Sequence, residues 1–306
     1  MKKLIRNFLG YFGYDIVKVM PTNVLKKQRK VRVGKFTIIM PGNNPLAYTY
    51  TKQPDFGSEI SRLVGYVKTK YPDMGFLDIG ANTGDTIAHV KSVSDVPVIA
   101  IEGDDVSYKY LTENVKQFNG VTIIKQFVGE SDSEMNISLE KAGWNTTLIP
   151  DSGTGKQIQI KKVDTVFKEK NIDPSKIKIF KIDAEGFDTI IIRGALEYIA
   201  SAKPVIFLEY NRDNMLAIHE NGLDTILQLQ EKGYNKILFF DDQGRFLLST
   251  TLSDKHLIHE MHSYADGKSG LIYYYNLCLF HSSDDDLAAL TVKGELEYKS
   301  AFSINQ

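Results

Sequence analysis

The fold turns on Phe76-Leu77-Asp78-Ile79-Gly80-Ala81-Asn82-Thr83-Gly84-Asp85. Apolar residues around a single acid read as a buried strand, and the glycine-containing turn after it opens a helix. Bare backbone at Gly80 and Gly84 would let a ligand approach where a Cβ would obstruct it. The alternative is a purely structural strand-to-helix turn. Asp78 argues against that, because a charge embedded in a buried strand needs a partner or a purpose.

Outward from this stretch, short apolar runs alternate with helical stretches, the pattern of βαβ units around a parallel sheet. Strands are predicted at 76–79, 98–102, 121–127, 177–182, 205–209, 237–240 and 273–280, with helices near 86–92, 108–118, 189–200 and 223–232. The expected fold class is therefore α/β: one doubly wound, mostly parallel, seven-stranded sheet of Rossmann-like type over residues 73–306. Residues 128–176 and 241–272 read as long excursions. Residues 1–72 read as a helix and hairpin cap, the hairpin turning at Gly34.

The second strand, Ile99-Ala100-Ile101-Glu102, ends in an acid 24 residues after Asp78. A carboxylate there can accept both hydrogen bonds of a ribose diol. The alternative is a solvated strand end. After the third strand, Asp132 could accept from an adenine amine, or simply occupy an exposed turn. The fourth strand ends in Lys181-Ile182-Asp183-Ala184-Glu185-Gly186 and the fifth in Leu208-Glu209-Tyr210-Asn211. Crowded acids should raise at least one pKa, which suits Asp183 and Glu185 to proton transfer, although part of the cluster could cap the next helix. A nucleoside site alone fits S-adenosylmethionine or NAD. The glycines of GANTG stand four apart, unlike the G-x-G-x-x-G of dinucleotide enzymes, which argues against NAD.

Taken together, LDIGANTGDT, IEGD and KIDAEGFD resemble the FkbM family of methyltransferases over roughly residues 55–240. The basic N-terminus with Gly13-Tyr14-Asp15-Ile16-Val17 is similar to openings of relatives in surface-polysaccharide gene clusters. The resemblance implies S-adenosylmethionine as cofactor and O-methylation of a sugar or polyketide-type hydroxyl. It implies that Asp78, Gly80, Asn82 and Gly84 line the methionine half of the cofactor, that Glu102 holds the ribose, and that Asp183 to Gly186 border the acceptor. Glu59 resembles an acid carried ahead of the first strand in such proteins and joins the cofactor set. The region after Asp241 departs from the shorter family pattern. An NAD-dependent oxidoreductase and a non-catalytic nucleoside-binding module remain the rival classes.

Thirty-seven basic residues against thirty-eight acidic ones leave a net charge of −1, which removes nucleic acid as an expected partner. A small-molecule or saccharide acceptor is expected instead. The only cysteine, Cys278, sits in an apolar run, so an internal disulfide is excluded and a buried strand position is expected. The N-terminus lacks the continuous apolar stretch and cleavage site of a signal peptide, and a cytoplasmic protein is expected. Leu4, Ile5, Phe8, Leu9 and Phe12 recur at helical spacing. This segment reads as a terminal helix packed on its own domain or on a second subunit of a homo-oligomer, with a membrane-surface helix as the less favoured reading. His219 and the His256, His259, His262 group are alternative bases, but HLIHEMH is not H-E-x-x-H, and no metal is expected.

Overall fold

The structure, a computed structural model, describes residues 28–142, 145–150, 156–266 and 272–304. The amphipathic segment at residues 1–12 lies outside the described residues. In chain order come β1 (Arg29–Val33), β2 (Phe36–Met40), α1 (Leu46–Lys52) and α2 (Ser58–Lys70), then β3 (Gly75–Ile79), α3 (Asp85–Val93), β4 (Val98–Glu102), α4 (Asp105–Asn114) and β5 (Val121–Lys125). Four strands follow: β6 (Phe127–Val128), β7 (Ser133–Ala142), β8 (Asn145–Pro150) and β9 (Lys156–Lys161). The alternation resumes with α5 (Val163–Glu169), β10 (Ile177–Ile182), α6 (Asp188–Arg193), α7 (Leu196–Ala202), β11 (Val205–Tyr210), α8 (Arg212–Ala217), α9 (Leu223–Gln228) and β12 (Tyr234–Asp241). β13 (Phe246–Thr251), α10 (Lys255–Ala265), β14 (Tyr275–His281) and α11 (Asp285–Ile304) complete the described chain.

Among the described residues the main sheet has eight strands in the order β13-β12-β14-β11-β10-β3-β4-β5. The block from β11 to β5 is parallel, β14 runs antiparallel to both β11 and β12, and β13 is an antiparallel edge. Strand order reverses at β3 and β10, which opens a crevice beyond their carboxyl ends, where ligands of such sheets bind. Both faces are covered, so the central strands are mainly apolar. Leu77, Phe180 and Ile206 enter one core, while Phe76, Ile179 and Val205 enter the other. Cys278 is fully buried in β14.

Four features differ from the sequence-based expectation. The main sheet has an eighth strand, β13, drawn from the 241–272 excursion. The 128–176 excursion carries a separate sheet of order β6-β9-β7-β8. The helix expected over 189–200 is two helices, broken at Gly194, where an added Cβ would lie 1.9 Å from the Gly129 carbonyl oxygen. A twenty-residue helix, α11, follows β14. Against α1 and α3 packs the β1–β2 hairpin, through Val31, Val33, Ile38, Met40, Tyr50 and Ala88. Among the described residues no helix is long and apolar enough to cross a membrane.

Candidate active site

Side chains two apart on a strand share a face. Asp78, Lys181, Glu209 and Glu102 continue the rows begun by Phe76, Ile179, Phe207 and Ala100, so four charged residues stand at the carboxyl ends of adjacent strands on one face. That face opens into a cleft of about 350 Å³, within the range of small-ligand sites. Its walls come from the ends of β3, β4, β10 and β11, from α1, α2 and α3, and from Asp242, Tyr274 and Asn276.

At one end of the cleft, Glu102 accepts the Asn82 N–H at Oε2 (2.8 Å) and the Asp104 N–H at Oε1 (2.7 Å). Burial pushes its carboxyl up to about 7 despite these backbone bonds. The loop that delivers the Asn82 N–H is left-handed at Gly80 (φ 74°), Asn82 (φ 46°) and Gly84 (φ 89°). The glycine requirement has a different origin from the one expected. A Cβ at Gly80 would lie 1.9 Å from the Asp183 carbonyl oxygen, so bare backbone is needed where the β3 and β10 loops meet. Gly84 starts α3 in the left-handed region and does not line the cleft. Asn82 and Gly80 do. Beside Glu102 the cleft is lined by Gly103, Gln126, Phe127 and Val128, with Gly103 pressed against the Phe127 ring.

Asp132 does not face this end. Its carboxylate accepts the Lys162 N–H and the Thr165 hydroxyl, each at 2.8 Å, and so caps α5. This corrects its reading as an adenine contact: the β6–β7 turn carries the side chain over to the second sheet and α5, away from the cleft.

Asp78 is likewise no part of the cleft surface. It is fully buried, and its Oδ1 pairs with Lys181 Nζ at 3.1 Å across the β3–β10 register. Burial raises the Asp78 carboxyl to about 6, with the Lys181 ammonium opposing the shift. Lys181 Nζ also lies 3.5 Å from Asp183 Oδ2, whose side chain is 48% exposed. The resemblance placed Asp78 on the methionine half; instead it is the counter-ion that keeps the Lys181 ammonium charged, well above the ordinary lysine range. Lys181 itself lines the cleft.

The β10–α6 loop carries the remaining acids. Glu185 stands at φ 51° and its Oε2 accepts from Asn214 Nδ2 at 2.7 Å. A Cβ at Gly186 (φ 98°) would strike the Asn214 backbone at 2.6 Å, which fixes the loop against α8. Asp188 turns inward, and burial raises it to about 7. Burial, with Asp183, Glu185 and Asp188 nearby, pushes Glu209 well above the usual carboxylate range. The carboxyls raised here are Glu209 and Asp188, chiefly by burial and secondarily by the acids around them.

The opposite wall belongs to the segment before β3. Tyr50 donates to Asp85 Oδ2 at 2.8 Å and lies 3.5 Å from His89 Nε2, whose imidazole burial holds below its ordinary value. Glu59, in the first turn of α2, is 8% exposed, its Oε2 has no hydrogen-bond partner, and burial raises it to about 7. The other histidines stand apart. HLIHEMH is helical, but His262 bonds the Tyr210 hydroxyl at 2.8 Å, His256 is on the surface beside Glu260, and neither they nor His219 line the cleft. Among the described residues no three His, Cys, Asp or Glu side chains are grouped to hold a metal.

Asn82, Gly80, Glu102, Glu59, Asp183 and Glu185 thus share one cleft, while Asp78, Gly84 and Asp132 lie behind it or away from it. Lys181, Glu209, Tyr50, His89 and Tyr274 join the cleft without having been assigned a role from sequence. Lys181 carried a usable signal, since it is a charge in an apolar strand just as Asp78 is.

No curated protein matches the chain. Among solved structures it is similar to a methyltransferase FkbM from Methylobacillus flagellatus KT, at 18% identity over 54% of this chain and 40% of that one, with a TM-score of 0.38. A precorrin-6y C5,15-methyltransferase from Geobacter metallireducens GS-15 aligns at 12% identity over 73% and 87% of the two chains, TM-score 0.38. A SAM-dependent methyltransferase from Aquifex aeolicus aligns at 12% identity over 78% and 98%, TM-score 0.36. The chain therefore spans 40% of the length of the Methylobacillus protein. The family profile described as the methyltransferase FkbM domain matches residues 78–236, just over half of the chain and the segment that holds Glu102, Lys181 and Asp183. The chain belongs to the FkbM methyltransferase family, whose cofactor is S-adenosylmethionine.

Proposed function

We propose that this protein transfers the methyl group of S-adenosylmethionine to a hydroxyl oxygen of a sugar or a similar small molecule. The residues present suit the cofactor. An ionised carboxylate can accept about four hydrogen bonds. Asn82 and Asp104 take one on each oxygen of Glu102, with the Gly103 N–H beside them, and the capacity that remains suits the ribose hydroxyls. Gly103, Phe127 and Val128 offer an apolar slot beside it for the purine. Glu59, whose buried carboxyl oxygen lacks a hydrogen-bond partner, suits a cationic group, and the cofactor carries two of them, its sulfonium and the α-ammonium of its zwitterionic amino-acid end.

S-adenosylmethionine supplies an already activated methyl group, so most of the protein's contribution is to hold the acceptor oxygen in line with it. The acceptor hydroxyl must also lose its proton. Asp183 is the candidate base, half-exposed beside Lys181 on the acceptor side of the cleft, and Glu185 is its neighbour. Glu209 supports the same reading, because burial and the acids around it raise its pKa, which makes its carboxylate the stronger base. Asn211, Asn276 and Tyr274 add hydrogen-bonding groups of the kind that sugar hydroxyls need.

The observation that carries the proposal is the single cleft that joins Glu102 to Asp183 and Glu209. Incubation with methyl-labelled S-adenosylmethionine and a panel of sugars and glycans, followed by NMR of the labelled carbon, tests it. A methoxy resonance is expected. Label found on nitrogen or carbon would refute O-methylation, and cofactor turnover on no hydroxyl acceptor would refute the substrate class.

A further inference from the structure

The first turn of α2 reaches the cleft through Gly57, Glu59 and Ile60, and the turn after β12 reaches it through Asp242. Both lie outside the segment matched by the family, as does α11. All three meet at a residue that does not touch the cleft, Arg62.

Its guanidinium forms a fork on Glu295 of α11, with Nε to Oε1 at 2.7 Å and Nη2 to Oε2 at 2.9 Å. Nη2 also donates to the Gly244 carbonyl at 3.1 Å and Nη1 to the Ser58 hydroxyl at 2.9 Å. Four of its five N–H donors are thereby used, in a planar geometry that lysine cannot reproduce. The Tyr298 ring lies 4.0 Å from the guanidinium carbon. Glu295 is only 2% exposed, so the pair is not a casual surface contact.

The Gly244 that the fork bonds borders Glu59. Gly244, at φ 70°, packs directly on that carboxyl, and a Cβ there would lie 2.0 Å from Oε2. The groups facing Glu59 are Arg62 on its own helix, Tyr50 on α1, Asp241 at the end of β12, Tyr274, and Glu295 on α11. Only Arg62 favours the ionised form among these charged neighbours.

We propose that Arg62, anchored by Glu295 and Tyr298 of α11, is a positioning residue that fixes Glu59 and the β12–β13 turn, so that the C-terminal helix governs how tightly the cleft holds a cationic ligand. This rests on the reading of the cleft as the S-adenosylmethionine site.

The test is calorimetric titration of the full chain with S-adenosylhomocysteine, whose α-ammonium is its one cationic group, as a function of pH. Glu295→Gln should weaken binding about tenfold at neutral pH, because the loosened fork misplaces Glu59, and this loss opposes in sign the gain from removing a charge that disfavours ionised Glu59. Arg62→Met should weaken it similarly and move the pH at which affinity falls upward, because the Glu59 carboxyl loses its stabilising charge. Arg62→Lys should restore the pH midpoint but not the full affinity. Glu59→Gln should remove that pH dependence.

Wild-type affinity and pH profile in Glu295→Gln and Arg62→Lys would overturn the proposal even if Arg62→Met fails to fold. Melting temperatures that fall while binding stays unchanged would overturn it too, since the cluster would then serve stability alone. A wild-type chain that does not bind S-adenosylhomocysteine would instead overturn the functional reading beneath it.

Discussion

Replacing Glu102 by alanine is the perturbation with the most direct consequence. The carboxylate accepts two backbone N–H groups: the one from Asn82 ties the β3–α3 loop to the end of β4, and the one from Asp104 orders the turn after β4. Truncation removes the accepting capacity left for the ribose and frees the loop that shapes the cleft. Hydrogen bonds to a charged group contribute about 1.5–3 kcal/mol each. Loss of two toward the ribose should therefore cost about 3 kcal/mol or more, a weakening of roughly 100-fold or greater in Kd. Glu102→Gln should be nearly as damaging, because an amide retains one accepting oxygen and sets an NH2 group against a backbone N–H. Isothermal titration with S-adenosylhomocysteine measures both, with circular dichroism to verify that the fold is kept. A folded Glu102→Ala variant whose Kd lies within about threefold of wild type would refute the ribose role.

Asp183→Asn should lower kcat by about 100-fold, the scale of general-base catalysis, while S-adenosylhomocysteine affinity stays within about threefold; steady-state kinetics that show full activity would end its candidacy and pass it to Glu185 or Glu209. Gly80→Ala should cost about 2–4 kcal/mol in chemical denaturation, because it combines a strained φ with a collision against the Asp183 carbonyl; a loss under about 1 kcal/mol would show that the loop relaxes freely. Burial raises Glu59 from 4.5 to about 7, so the folded state resists its ionisation, and the stability this confers is present below pH 4.5 and lost as pH rises through 7. Relative to wild type, Glu59→Gln should thus gain about 2–3 kcal/mol between pH 4.5 and about pH 8, measured by urea unfolding at each pH; a gap that does not widen would contradict the buried, ionisable Glu59. Chelation of the purified enzyme should leave methyl transfer intact, and loss of activity that returns with added Mg²⁺ would require oxygen ligands such as Asp183 and Glu209 to be reassigned.

The parallel core was legible because its signal is local. Leu77, Phe180 and Ile206 on one face and Phe76, Ile179 and Val205 on the other make strands apolar on both sides, bounded by glycine turns and helical stretches. Ser133-Glu134-Met135-Asn136-Ile137 and Gln157-Ile158-Gln159-Ile160 carried the alternation of half-buried strands as well, yet so long an insertion read as an excursion. α11 was harder to see, since it buries Glu295 and exposes Leu290 and Leu296, which blurs its apolar stripe.

In the cleft, Glu102 and Asp183 could be read from their places at strand ends. Asp78 was singled out correctly as a charge in need of a reason, but its reason, Lys181, depends on the register between β3 and β10, which no local pattern encodes. Tyr50 and Tyr274 reach the cleft only through the packing of the N-terminal cap and the last strands, distant in sequence from the motif, whereas His89 stands on α3, the helix that the motif opens. Asp132 shows the opposite failure: a plausible position along the chain, turned elsewhere by a second sheet.

The central claim is that one cleft binds the adenosyl group at Glu102 and presents its sulfur toward Asp183. A crystal structure of the chain with S-adenosylhomocysteine tests it most directly. The ribose hydroxyls are expected on the two Glu102 oxygens, the purine beside Gly103 and Phe127, and the sulfur facing the Asp183–Glu209 side. Ligand bound elsewhere, or bound in the cleft with its ribose away from Glu102, would contradict it.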